Sequence, residues 1–209
     1  MKGSFFFFLL FIAVSTHVLA QRGFNAGVLA GINASQVSGD GISGFNKAGI
    51  LVGLYTNIDV STKINLQFEL NYSEKGSRKN PRPNKGDNRF FLLRANYIEI
   101  PTMIRFKKRA FMYEGGFYYG RLINEFLEDE NGVFEISPEL NQFTKNDLGI
   151  LLGLNYNFTD NLIMNWRISS SVITFREFDS GASFRFNNGL FHHYLSFNLR
   201  YQFAGSNEK

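Results

Sequence analysis

The sequence predicts an all-β fold, an eight-stranded antiparallel transmembrane β-barrel with short periplasmic turns and long extracellular loops. Three observations predict it. Apolar and polar residues alternate with period two along most of the chain, the pattern of a strand with one oily and one polar face. The connections between these stretches are by turns short and long, as in barrels of the outer membrane. The 209 residues include 24 Phe, 9 Tyr and 20 Gly but only 4 Pro and no Cys. Without Cys there is no disulfide scaffold, thiolate metal site or cysteine catalysis. Moderate overall hydropathy excludes a bundle of transmembrane helices, which needs several runs of about 20 apolar residues. A net charge of +4, from 22 Lys+Arg against 18 Asp+Glu, is too mild to imply nucleic acid as a partner.

The chain divides into three parts. Residues 1–20 read as a secretory signal peptide: Lys2 supplies the positive start, Phe5 to Val14 the apolar stretch, and Val18-Leu19-Ala20 the small residues before cleavage. The apolar run is too short for a membrane anchor, and no Cys follows it to carry a lipid. Residues 21–203 form the barrel domain, and 204–209 a short polar tail. Strands are expected near 23–35, 46–58, 63–75, 91–106, 110–123, 146–158, 162–175 and 190–203. Short connections fall at 59–62, 107–109 and 159–161, and long ones at 36–45, 76–90, 124–145 and 176–189.

The third strand shows the alternation most clearly: Ile64, Leu66, Phe68, Leu70 and Tyr72 interleave with Lys63, Asn65, Gln67, Glu69 and Asn71. The last strand sets Phe191, His193, Leu195, Phe197, Leu199, Tyr201 and Phe203 against His192, Tyr194, Ser196, Asn198, Arg200 and Gln202. Aromatic residues gather at both ends of the strands. Phe106, Phe111, Phe158, Tyr201 and Phe203 mark the short-turn end, and Tyr72, Tyr119, Phe143 and Phe175 the long-loop end. Two such girdles favour lipid outside the barrel over the inverted pattern of a soluble barrel.

The polar face points inward and carries Lys47, Glu69, Glu99, Arg105, Glu114, Asp147, Arg167 and Arg200. Four basic and four acidic groups in a narrow space must pair with one another and with Asn65, Gln67, Asn71, Tyr194 and Asn198, because unpaired buried charge is costly. The expected interior is a plug held by ion pairs, with no continuous pore. A glycine pair recurs in three strands, at Gly27 and Gly31, Gly49 and Gly53, and Gly149 and Gly153. All six should face inward and make room for long side chains from neighbouring strands. Pro101 inside a strand should mark a bulge or a broken ladder.

Catalytic, metal and cofactor motifs are missing. His192 and His193 point to opposite faces of one strand and cannot share a metal. A rim site combining His192 with Ser169 or Ser171 has no spacing motif behind it. Two loops differ in charge. Lys75, Arg78, Lys79, Arg82, Lys85 and Arg89 face only Asp87 in the first, while Glu125, Glu128, Asp129, Glu130, Glu135 and Glu139 fill the second. Arg78, Lys79, Arg82 and Lys85 are candidate docking residues for lipid phosphates or a protein.

Particular words then stand out. Phe68-Glu69-Leu70-Asn71-Tyr72-Ser73-Glu74-Lys75-Gly76, Tyr97-Ile98-Glu99-Ile100-Pro101, Gly31-Ile32-Asn33-Ala34-Ser35 and Lys47-Ala48-Gly49 resemble the PorT-like outer-membrane β-barrel family of Bacteroidetes-type bacteria. The resemblance implies an eight-stranded barrel with both termini in the periplasm, and a namesake linked to protein secretion across the outer membrane. It supplies no catalytic residues. The expected protein is therefore a monomeric, non-enzymatic outer-membrane component with a structural or accessory role in secretion or envelope maintenance. Its expected partners are outer-membrane lipid and a protein of an export machinery, and it needs no cofactor. A lipid-modifying enzyme with a rim Ser/His site and a small-solute pore are the alternatives.

Overall fold

The computed structural model describes residues 24–134, 144–176 and 189–203. The proposed signal peptide, the polar tail, Phe143, Glu135 and Glu139 lie outside the described residues. Among the described residues nine strands follow in chain order: β1 (Phe24–Ser38), β2 (Lys47–Asp59), β3 (Ile64–Lys79), β4 (Phe91–Lys108), β5 (Phe111–Asp129), β6 (Gly132–Phe134), β7 (Asn146–Asn157), β8 (Leu162–Ser171) and β9 (Phe191–Gln202). Eight close into a ring, in the order β1-β2-β3-β4-β5-β7-β8-β9 and back to β1, with every pairing antiparallel. Among the described residues, short β6 pairs with the tip of β5.

The register fixes the shape of the ring. Stepping across paired residues, Ala26–Thr56–Phe68–Thr102–Phe117–Ile150–Ser170–His193 returns to β1 at Gln36, ten residues beyond the start. At about 3.3 Å per residue and about 4.8 Å between strands, that stagger tilts the strands by about 40°. The closed ring leaves no unpaired edge, which is what permits strands in lipid. Its outer surface carries rows of exposed Leu, Ile, Val and Phe, while Asn33, Gln67, Glu69, Asn165, Arg167 and Arg200 are buried inside.

Several expectations are corrected. The loops expected at 76–90 and 124–145 begin as strand, because β3 runs to Lys79 and β5 to Asp129, where it turns back into β6. Past the oily band the apolar-out, polar-in code lapses, so the backbone pairing continues after the period-two signal has faded. β8 stops at Ser171, short of 175. Phe175 is no girdle residue: it is completely buried and stacks on His192 with ring centroids 3.9 Å apart. Phe191 is buried too, against the outward position its parity gave it.

Pro101 has the expected effect on one side. The β3–β4 pairing steps from Phe68↔Thr102 to Asn71↔Glu99, leaving Pro101 and Ile100 out of the ladder, whereas Pro101 keeps its place opposite Tyr118 in β5. The register shift between β4 and β5 falls elsewhere, at Asn96/Tyr97.

Candidate functional site: a sealed lumen beneath an open loop face

Inward-pointing residues build three levels inside the barrel. Nearest the short turns, Arg167 and Arg200 meet Glu69 and Glu114, and Arg105 is buried beside them. Arg167 forks to both oxygens of Glu69, at 2.8 and 2.9 Å, and its Nε donates to Glu114 Oε1 at 2.7 Å. Arg200 approaches Glu69 at 3.0 Å and Glu114 at 3.5 Å. Amides occupy the remaining lone pairs: Gln67 and Asn71 donate to Glu69, and Asn155 and Asn165 to Glu114. Arg105 donates through Nε and Nη2 to Asn65 Oδ1. Multiple donors on each guanidinium suit it to such a network.

The second level is built around Lys75, which the sequence placed in the basic loop. It lies instead inside the barrel with no exposed surface. Its ammonium contacts Glu99 at 2.6 Å and Asp147 at 2.7 Å. Three rings close around it, with centroids at 4.3 Å for Tyr97, 4.9 Å for Tyr118 and 4.7 Å for Tyr194. The ring faces attract the cation while the carboxylates neutralise it. Tyr118 donates to Asp147, and Tyr194 to Glu99. The parity that carries Glu69, Asn71 and Ser73 inward extends to Lys75, and that signal was available in the sequence.

Above the cage, Val37, Leu93, Ala95, Leu122, Phe175 and Leu190 pack into an apolar cap toward the long loops. Ion network, cage and cap fill successive levels of the lumen.

All eight interior residues named from the sequence are buried. Lys47 stands apart from the network and pairs with Glu74 at 2.5 Å. Glycine notches make room for the largest inward rings. A Cβ on Gly27 would strike the Tyr55 ring, and one on Gly149 the Tyr118 ring.

The serines and histidine proposed for a rim enzyme do not assemble. His192 Nε2 pairs with the Tyr97 hydroxyl at 3.2 Å, and the Ser171 hydroxyl with that of Tyr118 at 3.2 Å, both inside the barrel. The Ser–His contact that does form is Ser170 Oγ with His193 Nδ1, at 2.9 Å on the outer wall.

At the long-loop end, a cleft of about 250 Å³ opens between residues 41–46 and 78–87, lined in part by Arg78, Lys79, Arg82, Asn46 and Asn80. Lys85 is exposed nearby. Asp87, the loop's carboxylate, is already engaged by Lys79 at 2.8 Å and Arg89 at 3.0 Å. Hydrogen bonds from Arg89 and Lys79 hold its carboxyl well below the usual carboxylate range. The acidic hairpin approaches this loop, since Glu130 borders a second cleft with Asp87 and Arg89.

Comparison with known proteins agrees with this architecture. Neisserial surface protein A shares 14% identity at a TM-score of 0.52, over 87% of this chain and 97% of its own. The attachment invasion locus protein Ail of Yersinia pestis shares 13% identity at a TM-score of 0.51, over 87% of this chain and 99% of its own. No curated protein sequence matches the chain. Residues 17–175 match the family model described as outer membrane protein beta-barrel domain. This chain, closed by eight strands around a filled lumen, belongs to the outer membrane protein beta-barrel domain family.

Proposed function

We propose that this protein is a non-enzymatic, monomeric envelope component that works through its extracellular loop face in an accessory role for protein secretion or envelope maintenance. The observation that carries the reading is the contrast along the barrel axis. The lumen is filled by ion network, cage and cap, while the loop end opens a cleft lined by Arg78, Lys79 and Arg82. A filled lumen supports docking over conduction, and surplus cations outside favour an anionic partner, such as an acidic protein surface or lipid phosphates. Ail, which shares this fold, has been solved in complex with the heparin analogue sucrose octasulfate. For this chain the reading rests on its own cations. The PorT-like resemblance supports an export role, with secretion to the periplasm directed by residues 1–20.

The test is the extracellular protein profile of a deletion strain, with detergent sensitivity as the integrity control. Cargo held in the periplasm behind an intact membrane is expected, and complementation by a Lys79→Glu, Arg82→Glu, Lys85→Glu variant is expected to fail. Full rescue by that variant rejects the loop as the docking surface. Stepwise conductance in planar bilayers rejects the sealed lumen and favours a small-solute pore.

A further inference from the structure

The basic cleft at the long-loop end lies between two fixed walls. On one side, residues 41–46 form a turn held by side-chain hydrogen bonds. Asp40 Oδ1 accepts from the Ile42 amide at 2.8 Å, Gln36 Oε1 from the Gly44 amide at 3.0 Å, and the Ser43 carbonyl from Asn46 Nδ2 at 3.1 Å. On the other side, Arg82 and Asp87 bridge across a turn of 3-10 helix (Pro83–Lys85), and Pro81 and Pro83 stiffen the backbone beside Arg82. The cleft of about 250 Å³ falls just below the about 300–1,000 Å³ of common small-molecule sites, so it suits one small group and not a segment of protein. Its charges are sorted. Lys79 and Arg89 neutralise Asp87. Arg78 and Arg82 make no ion pair among the described residues. Arg78 donates through Nε to Asn80 Oδ1 at 2.8 Å, which leaves both of its Nη atoms for a ligand.

The geometry points to a site for a phosphorylated sugar, with the phosphate on Arg78 and Arg82 and the ring hydroxyls on Asp87, Asn46 and Asn80. The site deepens the reading of the loop face as a docking surface and rests on it. Guanidinium groups match phosphate oxygens two at a time, where a lone ammonium offers only a point charge. Beside them stand the partners that hydroxyls need: Asn46 and Asn80 as donors, Asp87 as an acceptor, with Ile42 as an apolar patch for the ring. A bare anion would leave those groups unused. Height excludes the phosphate of an ordinary phospholipid. The outward positions of β3 pass from Leu70 and Tyr72 to Glu74, which marks the top of the oily band, and Arg78 stands six residues beyond Tyr72. At about 3.3 Å per residue and a tilt of about 40°, that is a rise of about 15 Å. The headgroup layer extends only about 5–8 Å beyond the hydrocarbon. The sugar therefore comes from the projecting head of an outer-leaflet glycolipid or from solution.

The test is titration calorimetry on the purified barrel in phosphatidylcholine nanodiscs, at constant ionic strength and without phosphate buffer. Glucose 6-phosphate is expected to bind about tenfold tighter than inorganic phosphate, and glucose itself not measurably. Arg78→Gln and Arg82→Gln should each weaken glucose 6-phosphate by about tenfold or more, the loss expected for a charge-assisted hydrogen bond. Lys108→Gln, at the short-turn end, should bind as wild type. Nanodiscs carrying the native outer-membrane glycolipid separate the two sources: a lowered apparent affinity assigns the sugar to that glycolipid, and an unchanged one to a soluble sugar phosphate. Equal binding by wild type, Arg78→Gln and Arg82→Gln overturns the site, as does no binding of glucose 6-phosphate at all. Inorganic phosphate binding as tightly as the sugar phosphate also overturns it. If the site falls while the Lys79→Glu, Arg82→Glu, Lys85→Glu variant still fails to rescue secretion, the docking reading stands without it. Full rescue by that variant removes the docking reading whatever the cleft binds.

Discussion

The two charged levels of the lumen solve one problem with different chemistry. Near the short turns, Arg167 and Arg200 share two glutamates in a network extended by Gln67, Asn71, Asn155, Asn165 and Asn198, and Arg105 is held beside it by Asn65. Toward the loops, a single lysine meets two carboxylates and three tyrosine rings. A guanidinium has five donors in a plane and can tie several strands together. An ammonium is a compact charge whose unbonded sides must be covered by something other than water. Beneath an apolar cap, aromatic faces provide that cover. The difference teaches that the cation chosen at each level follows from what lies above it: amides where polar groups continue, rings where the lumen turns oily.

The comparison can be broken most forcefully at Arg167. Arg167→Met strips both Glu69 and Glu114 of their best partner, and should cost about 3–5 kcal/mol in urea unfolding from lipid vesicles. Lys75→Met is expected to cost less, about 3 kcal/mol, because Tyr118 and Tyr194 still donate to Asp147 and Glu99. Adding Glu99→Gln and Asp147→Asn to Lys75→Met should recover most of that loss, whereas a purely steric role for Lys75 predicts no recovery. Gly149→Ala tests the cage through its wall. The new methyl would strike the buried Tyr118 ring, and should cost about 1–3 kcal/mol by the same assay. The smallest effect is expected outside the lumen. Asp87 has a depressed pKa, so the order it gives the loop is present above the ordinary aspartate range and is lost only as pH falls through the depressed value. Loop resonances of Arg89 should therefore hold constant from pH 7 to about 4, near which a free aspartate is half protonated. Their movement over that range would show that Asp87 is not held.

The same contrast explains what could be read from the sequence. Glu69, Glu114, Arg167 and Arg200 sit inside strands that carry the period-two pattern, so parity turns them inward. Lys75 has the same parity but is followed by Gly76, Arg78 and Lys79, a composition that reads as solvated loop. The cap was hidden for a different reason. Val37, Leu93 and Leu122 are apolar and inward, reversing the code that holds in the bilayer. Phe175 was assigned to a girdle by composition, yet beyond the end of β8 the chain turns it onto His192.

That register carries a consequence for how the molecule comes into being. The seam joins the first strand to the last, with Gly27 opposite Gln202. The ring cannot shut until nearly the whole polypeptide is available, and no early segment can bury its charges alone. Long-range pairing of this kind makes folding slow and concerted. Until closure the edges of β1 and β9 are exposed templates for any passing strand. The nascent chain must therefore be kept from pairing while it travels, and a truncation within β9 should yield aggregates or degradation products instead of a smaller barrel.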